Sequence, residues 1–492
     1  MSSTSPKKTV HFLSLGCPKN RVDSEVMLGH MAADGYVHAD APEGADVIVV
    51  NTCAFIDAAK EESVDAILDM VKLKTAGQAG KVVVTGCLSQ RYAPQLAQEI
   101  PEVDHFLGTG NFEGIADVLR NSTQHDHGPK TRASLPIFGA PQHKPKPHAR
   151  LVGRNALVPY RHSAEGNLRE GIPDPDFTIT SRSPRVASQA LFSQYLKVSE
   201  GCSNTCSFCI IPKLRGPQRS RAIADIVDEA MRLKDQGTVE INLIAQDLCA
   251  FGNDRDGDEN LAKLLRELDK TGIEWIRCLY AYPKGLTEEV MEVMAGSKHI
   301  VPYLDMPLQH ISDDMLRRMR RGKGGESTKD LLRKLRATVP GLVLRTTFIT
   351  GLPGETDADF KELCDLVEEI RFERMGVFTF SPEEDTPAAT MEGQIAPELA
   401  KERQEVLMEL QRGISREQHQ AMIGSRIKVL VQGVSSETEL LLEGRHQGQA
   451  PEIDGVTYIT SGTASPGQMV EIVIDEASDY DVAGQLADGR LD

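Results

Sequence analysis

Near the start of the chain, apolar runs alternate with stretches whose apolar positions recur at helical spacing. The runs Val10-His11-Phe12-Leu13-Ser14-Leu15, Asp46-Val47-Ile48-Val49-Val50 and Lys81-Val82-Val83-Val84 read as strands, and 23–34, 57–74 and 90–99 as helices. This alternation over 8–122 predicts a parallel α/β sheet with helices on its faces. The pattern breaks over 123–190, rich in Pro, His, Arg and Ser, which reads as an irregular linker. Its five histidines (His125, His127, His143, His148, His162) admit a metal tract, but a Pro-rich surface linker accounts for the composition. Alternation resumes over 191–420. Strands are expected near 194–199, 239–245, 273–281, 301–306, 342–349 and 374–380, and helices at 221–236, 258–270, 285–295, 311–320, 356–370 and 395–420. Six strand–helix units predict a partial (β/α)6 barrel, with its chemistry at the C-terminal strand ends. Over 421–492 the runs Val429-Leu430-Val431, Leu440-Leu441-Leu442 and Met469–Ile474 are short and split by Gly, Ser and Asp turns. They predict a small antiparallel β-barrel.

The 492 residues are enough for about three domains with real cores. The net charge of −17 disfavours a partner gripped through phosphates and suits a basic one. No run reaches the roughly 18 apolar residues of a membrane span. The polar Met1–Lys8 and the short apolar run ending at Cys17-Pro18-Lys19 make a poor signal peptide. A cytoplasmic setting keeps thiols reduced, so the nine cysteines read as metal ligands or buried apolar residues.

The sharpest motif is Glu200-Gly201-Cys202-Ser203-Asn204-Thr205-Cys206-Ser207-Phe208-Cys209, directly after the first barrel strand. Three thiolates on one loop can hold three irons of a [4Fe–4S] cube and leave the fourth open for a small ligand. Structural zinc is the competing reading, but it wants four closed ligands and no second pair of cysteines follows. Cys17, Cys53 and Cys87 form a subtler set. Each follows a predicted strand, in Leu15-Gly16-Cys17, Asn51-Thr52-Cys53 and Thr85-Gly86-Cys87. Strand C-termini of a parallel sheet face one crevice, so the three thiols can converge on a second cluster; the alternative is three small buried residues. Cys249, Cys278 and Cys364 fall in apolar patterns and read as core.

The C-x3-C-x2-C loop at the head of a partial barrel, with Phe208 before its last cysteine, resembles the radical S-adenosylmethionine (SAM) superfamily. Ser14–Glu25, Asn51–Ser63 and Thr85–Tyr92 look like the three N-terminal motifs of the methylthiotransferases, and 421–492 resembles a TRAM domain. Pro18 and Phe55-Ile56-Asp57 make the match to the RimO type, which modifies an aspartate of the twelfth small-subunit ribosomal protein, rather than to the MiaB type, which modifies tRNA adenosine. The stretch 121–190 is longer than the family usually carries.

The resemblance implies two [4Fe–4S] clusters and SAM as cofactors. Cys202, Cys206 and Cys209 would hold the cluster whose open iron chelates SAM; Cys17, Cys53 and Cys87 would hold an auxiliary cluster bearing the sulfur to be inserted. A radical from SAM would abstract hydrogen from the aspartate β-carbon, and a second SAM would supply the methyl group. Phe208, Gln246, Thr350 and Gly351 are the remaining cofactor-binding candidates. Gln246-Asp247 ends the second barrel strand, and the glycines of Phe348–Glu355 would let backbone approach a nucleoside; an ordinary strand–helix turn is the alternative. Arg215, Arg219 and Arg221 are placed to meet carboxylates of SAM or target, or to form a solvated basic stretch. His310 reads as a capping or core residue.

Charge bears on the substrate. From Gly424 to Asp492 there are four basic residues against twelve acidic ones, and only Tyr458 and Tyr480 as aromatics. A barrel gripping RNA needs basic grooves and stacking rings. An acidic one suits a Lys/Arg-rich ribosomal protein, free or in the subunit, and disfavours tRNA. A reductant and a sulfur donor are the other partners implied, with no membrane. A non-catalytic iron–sulfur carrier is the reading from another class.

Overall fold

The computed structural model describes residues 8–110, 114–121, 160–161, 175, 177–322 and 324–487. Most of the predicted linker therefore lies outside the described residues, and its part from 177 to 190 contains no helix or strand. The chain divides into two compact units.

The N-terminal unit carries β1 (Thr9–Ser14), α1 (Pro18–Ala33), β2 (Val37–His38), β3 (Val47–Thr52), α2 (Asp57–Thr75), β4 (Lys81–Gly86), α3 (Cys87–Glu99), β5 (His105–Phe106), α4 (Ile115–Asn121) and β6 (Tyr160–Arg161). The sheet order is β2-β1-β3-β4-β5-β6. All pairs are parallel except β5–β6, a departure from the all-parallel expectation that comes from within the stretch read as linker. Every residue of β3 is buried, as befits a central parallel strand covered on both faces. Two helices start earlier than periodicity suggested. α1 begins at Pro18, a residue suited to a first helical position, and α3 begins at Cys87 itself.

The second unit contributes β7 (Ser193–Lys197), β8 (Ser199–Glu200), α5 (Ile211–Arg215), β9 (Arg219–Ser220), α6 (Ile223–Asp235), β10 (Glu240–Ile244), α7 (Leu261–Asp269), β11 (Trp275–Cys278), α8 (Glu288–Gly296), β12 (Ile300–Asp305), α9 (Asp313–Arg318), α10 (Gly325–Thr338), β13 (Val343–Thr350), α11 (Asp357–Ile370), β14 (Arg374–Thr379) and α12 (Pro397–Gln420). Residues Lys213–Arg215 of α5 pack with the N-terminal unit. Strands β14-β13-β12-β11-β10-β7 form an open parallel arc, the six strands expected. Leu243, Ile276, Leu304 and Phe348 meet helical Leu264, Leu332 and Leu366 in its core. α11 opens on a capping box between Thr356 and Asp359. α10 was not anticipated. Its apolar positions are few, and charged and small polar residues fill the rest of the stretch.

A closed barrel follows in the same unit, ordered β15 (Arg426–Val434), β16 (Leu442–His446), β17 (Thr457–Ser461), β19 (Val482–Leu486) and β18 (Met469–Ala477). Val429, Val431, Ile472 and Ile474 fill it. It is not wholly antiparallel, because β17 and β19 pair in parallel. Five strands closed in a ring cannot alternate in direction throughout, so one parallel pair is unavoidable. The predicted strand at 440–442 is displaced to β16, leaving Leu440 on an exposed loop. No helix among the described residues is long and apolar enough to cross a membrane.

Candidate functional site

In the N-terminal unit, the loops after β1, β3 and β4 bring Cys17, Cys53 and Cys87 together. Cys17 is the residue before α1, and Cys87 opens α3. The adjoining glycines make the approach possible. A Cβ on Gly16 would lie 2.8 Å from Cys53 Cβ and 3.1 Å from its Sγ, and one on Gly86 would lie 2.3 Å from Asn51 Oδ1. Both also hold φ near +90°, a region open to glycine. Asn20 laces the loops, donating from Nδ2 to Leu15 O (3.0 Å) and Thr52 O (2.9 Å). Asn51 returns a bond to Asn20 O at 2.7 Å. Ser63 of α2 clamps Cys53 by accepting from its N–H (3.0 Å) and donating to its carbonyl (2.9 Å).

The sulfurs share one electrostatic neighbourhood. Burial pushes the Cys53 thiol up, and charge on Cys17 pushes it further. Burial pushes Cys87 up to about 12; the Arg215 guanidinium opposes this and donates to the sulfur, while Cys53 and Cys17 reinforce it. Arg215 is itself buried, bonded to Asn20 Oδ1 and paired with Asp23 at 3.0 Å.

In the second unit, Cys202, Cys206 and Cys209 lie on the loop leaving β8, beyond the C-terminal end of β7. The short antiparallel ladder β8–β9 brackets the loop. Ser207 anchors it, donating from its hydroxyl to Arg318 O (2.6 Å) and from its N–H to Met319 O (3.0 Å). Phe208 packs among Met315, Met319, Leu352 and Ala388, against which Cys206 and Cys209 also rest. Each thiol has an N–H partner. Asn204 Nδ2 lies 3.6 Å from Cys202 Sγ and donates to Asp247 at 2.7 Å. Arg321 Nη1 lies 3.5 Å from Cys206 Sγ, and the backbone N–H of Ile211 reaches Cys209. Burial pushes Cys202 up, and Cys209 up to about 12.

Beside this loop, buried Lys197 pairs with Glu200 at 2.7 Å, and Gln246 Nε2 donates to Glu200 at 2.9 Å. The other amide atom, Gln246 Oε1, is buried without a hydrogen-bond partner. Thr350 is fully buried and donates to Ala400 O at 2.8 Å. Gly351 has φ +80°, and a Cβ there would meet Ala400 Cβ at 2.3 Å, so its close approach is to α12. Two of the three candidate arginines are corrected. Arg215 is buried against Asp23, and Arg221 is buried between Asp225 and Glu229, so neither stands in solvent and each is matched by a carboxylate of the chain itself. Arg219 donates to Pro217 O at 2.8 Å. His310 is fully buried, accepting at Nδ1 from Ser312 N–H at 3.1 Å. Cys249 and Cys278 are buried in the barrel core, and Cys364 is half-buried against it. Sequence reasoning passed over Arg321, which stands in the unpatterned Arg320-Arg321-Gly322 turn after α9.

These residues fit iron–sulfur clusters. All nine cysteines are free. Buried thiols held this far up become thiolates only beside strong positive charge, which a cluster's irons supply. Among the described residues no three His, Cys, Asp or Glu groups close tightly enough to hold a single metal ion; a cube engages its thiolates through separate irons. The orphaned Gln246 Oε1 beside the cysteine loop lacks a donor such as an amino group.

Three family models match the chain: "Uncharacterized protein family UPF0004" at 9–108, the radical SAM superfamily at 196–367 and a TRAM domain at 423–486. The chain is 50% identical to "Ribosomal protein uS12 methylthiotransferase RimO" of Anaeromyxobacter sp. (strain Fw109-5), covering 97% of this chain and 93% of that protein. Proteins of the same name from Myxococcus xanthus (strain DK1622) and Syntrophotalea carbinolica (strain DSM 2380 / NBRC 103641 / GraBd1) are 47% and 45% identical, over 99% of this chain and 93% and 98% of theirs. Among solved structures, the radical S-adenosylmethionine methyltransferase TsrM from Kitasatospora setae aligns over 88% of this chain and 81% of its own. Its TM-score is 0.52 at 15% identity, a likeness of fold.

Proposed function

Because this chain belongs to the RimO family of ribosomal protein uS12 methylthiotransferases, we propose that its two cysteine trios are the ligand sets of that family's two [4Fe–4S] clusters and that its substrate is the uS12 aspartate. The chain is a radical SAM enzyme of the transferase class, using SAM and [4Fe–4S] clusters. The observation that carries the assignment is the gathering of three thiols, far apart in sequence, at three neighbouring strand ends of the N-terminal unit; the second unit carries its own trio on a single loop.

When bound, the clusters and SAM supply a carbon-centred radical and a sulfur to transfer. The residues of the chain hold and shield them. Cys202, Cys206 and Cys209 ligate the cluster that binds SAM, and the Phe208 cluster keeps solvent from two of those sulfurs. Gln246 Oε1 accepts from the SAM amino group, with Glu200 and Lys197 fixing the amide. Thr350 and Gly351 support this face by seating the loop after β13 on α12. Cys17, Cys53 and Cys87 ligate the auxiliary cluster, with Asn20, Asn51 and Ser63 setting their loops. In this reading the functional divisions are 8–122 for the methylthiotransferase domain, 123–190 for the linker, 191–420 for the radical SAM domain and 421–492 for the TRAM-like barrel.

The acidic barrel supports a protein substrate. Its Arg445 is buried on Glu240, so that positive charge is spent inside. Glu437, Glu439, Glu452, Glu471, Asp475 and Glu476 are exposed, a surface that attracts a Lys/Arg-rich protein and repels RNA phosphates. A cytoplasmic location belongs to this reading, since free thiols need a reducing compartment. The test is anaerobic incubation of the reconstituted enzyme with reductant, sulfide and SAM, offering uS12 or tRNA and reading products by mass spectrometry. A methylthio mass gain on uS12 alone is expected; gain on tRNA alone would overturn the substrate assignment.

A further inference from the structure

We propose that Arg321 sets the reduction potential of the SAM-binding cluster, by placing a fixed positive charge and a hydrogen bond on the sulfur of Cys206. The inference rests on the assignment of Cys202, Cys206 and Cys209 as that cluster's ligands. Cluster potentials respond to net charge and to hydrogen bonds on the sulfurs, and groups just outside the ligand shell commonly supply both.

Three contacts hold the guanidinium in place. Nη1 lies 3.5 Å from Cys206 Sγ, Nη2 donates to Pro307 O at 2.5 Å, and the guanidinium carbon stacks 4.3 Å from the ring centre of Tyr282. The backbone is pinned too, Arg321 N–H donating to Leu316 O at 2.8 Å. A side chain tied at both nitrogens and over one face has little freedom to turn toward solvent.

The other donors to this trio are the neutral side-chain amide of Asn204 and the backbone N–H groups of Asn204 and Ile211, so Arg321 is its one charged donor among the described residues. It also differs from the buried arginines Arg215, Arg221 and Arg403 and the half-buried Arg345, each of which is matched by a carboxylate. No described carboxylate forms an ion pair with Arg321; Asp247, whose carboxyl burial pushes up and the guanidinium helps to hold down, acts on it only from beyond ion-pair distance. A guanidinium stays protonated throughout the working pH range, and a charge-assisted bond is roughly twice as strong as a neutral one. Extra positive charge stabilises the reduced, more negative cluster and raises its potential. Arg321 acts through Cys206 and is a positioning residue, not a catalytic one.

The test is an anaerobic potentiometric titration of the full-length holoenzyme followed by electron paramagnetic resonance. The SAM-binding cluster is identified as the reduced signal that changes when SAM is added. Arg321→Gln keeps an N–H but removes the charge, and is expected to shift that signal's midpoint to more negative potential at unchanged iron content. Arg321→Lys should restore most of the midpoint, and the auxiliary cluster should stay where it is. An unmoved midpoint in Arg321→Gln, an equal shift in Arg321→Lys, or parallel movement of both clusters would overturn the inference. Should Arg321→Gln fail to retain iron, Tyr282→Leu carries the test. Loosening the guanidinium should give a smaller shift in the same direction, and no shift would count against the proposal. A wild-type spectrum without any SAM-responsive signal would instead overturn the ligand assignment itself.

Discussion

At the scale of single residues, chemistry and support separate cleanly. Cys53 contributes a sulfur to the N-terminal trio, while the Cys202 loop draws contacts from Asn204, Arg321 and Met319. Cys53→Ala should therefore retain reductive cleavage of SAM, measured as deoxyadenosine released, and lose methylthiolation of uS12. Loss of both activities would show that the division of labour is wrong. The cysteines were legible because each stands in a pattern with a chemical reason, a tight C-x3-C-x2-C loop or a strand end beside a turn residue. Arg215 was legible as a charge but not as a contact. Its partner Asp23 lies far away in the sequence, in the N-terminal unit, and no local pattern announces such a pair. Arg215→Met would break the 3.0 Å ion pair to buried Asp23 from one side, which costs about 3–5 kcal/mol. Chemical denaturation should detect that loss, and the double variant with Asp23→Leu should recover much of it.

At the scale of elements, strands and helices were legible where apolar periodicity was strong. All six barrel strands and the three principal N-terminal strands fall where expected; the clearest are β3 and β4, whose burial on both faces reads as a continuous apolar run. β17 and β19 were not anticipated; β17 carries Thr, Tyr and Ser on a small surface barrel and gives no such run. What joins this barrel to the β/α arc is equally hidden. Glu240 of β10 accepts from Arg277 of β11 (3.0 Å) and Arg445 of β16 (2.5 Å), with all three side chains buried. Ser193 of β7 adds a bond of 2.6 Å to the same carboxylate. Glu240→Ala would strand two buried guanidinium groups, so a loss of about 3–5 kcal/mol is expected. Because the damage is at the junction, limited proteolysis should release the C-terminal barrel from the variant sooner than from the wild type. Equal release would mean that apolar packing, not this ion cluster, holds the junction.

At the scale of the whole molecule, the same junction makes stability depend on pH. Glu240 resists its own burial because Arg445 and Arg277 hold its carboxyl down to about 2, against an ordinary value of 4.5. A carboxyl depressed in the folded state contributes its full stabilisation above the unfolded value, and the contribution drains away as pH falls from 4.5 toward 2. A second step lies higher. His419 of α12 is enclosed, and burial, with Arg374 beside it, pushes the imidazole from 6.5 down to about 4. Arginine can only donate, so His419 Nε2 accepts from Arg374 Nη1 at 2.9 Å and the Nδ1–H donates to Ser478 O at 3.2 Å. Protonation removes the acceptor and sets two cations together. Stability is therefore whole above pH 6.5 and falls as pH drops through 4, by an amount on the order of 3 kcal/mol at about 1.4 kcal/mol per unit of displacement. His446, fully enclosed and held well below its ordinary value, adds in the same direction. His419→Gln can keep both hydrogen bonds without titrating. The difference in unfolding free energy between wild type and His419→Gln, measured on cluster-free protein, should change between pH 6.5 and 4 and be flat above. Comparing two chains with the same cysteines cancels the contribution of the thiols. A difference that stays constant through that window would show that the ring is already open to water in the folded protein.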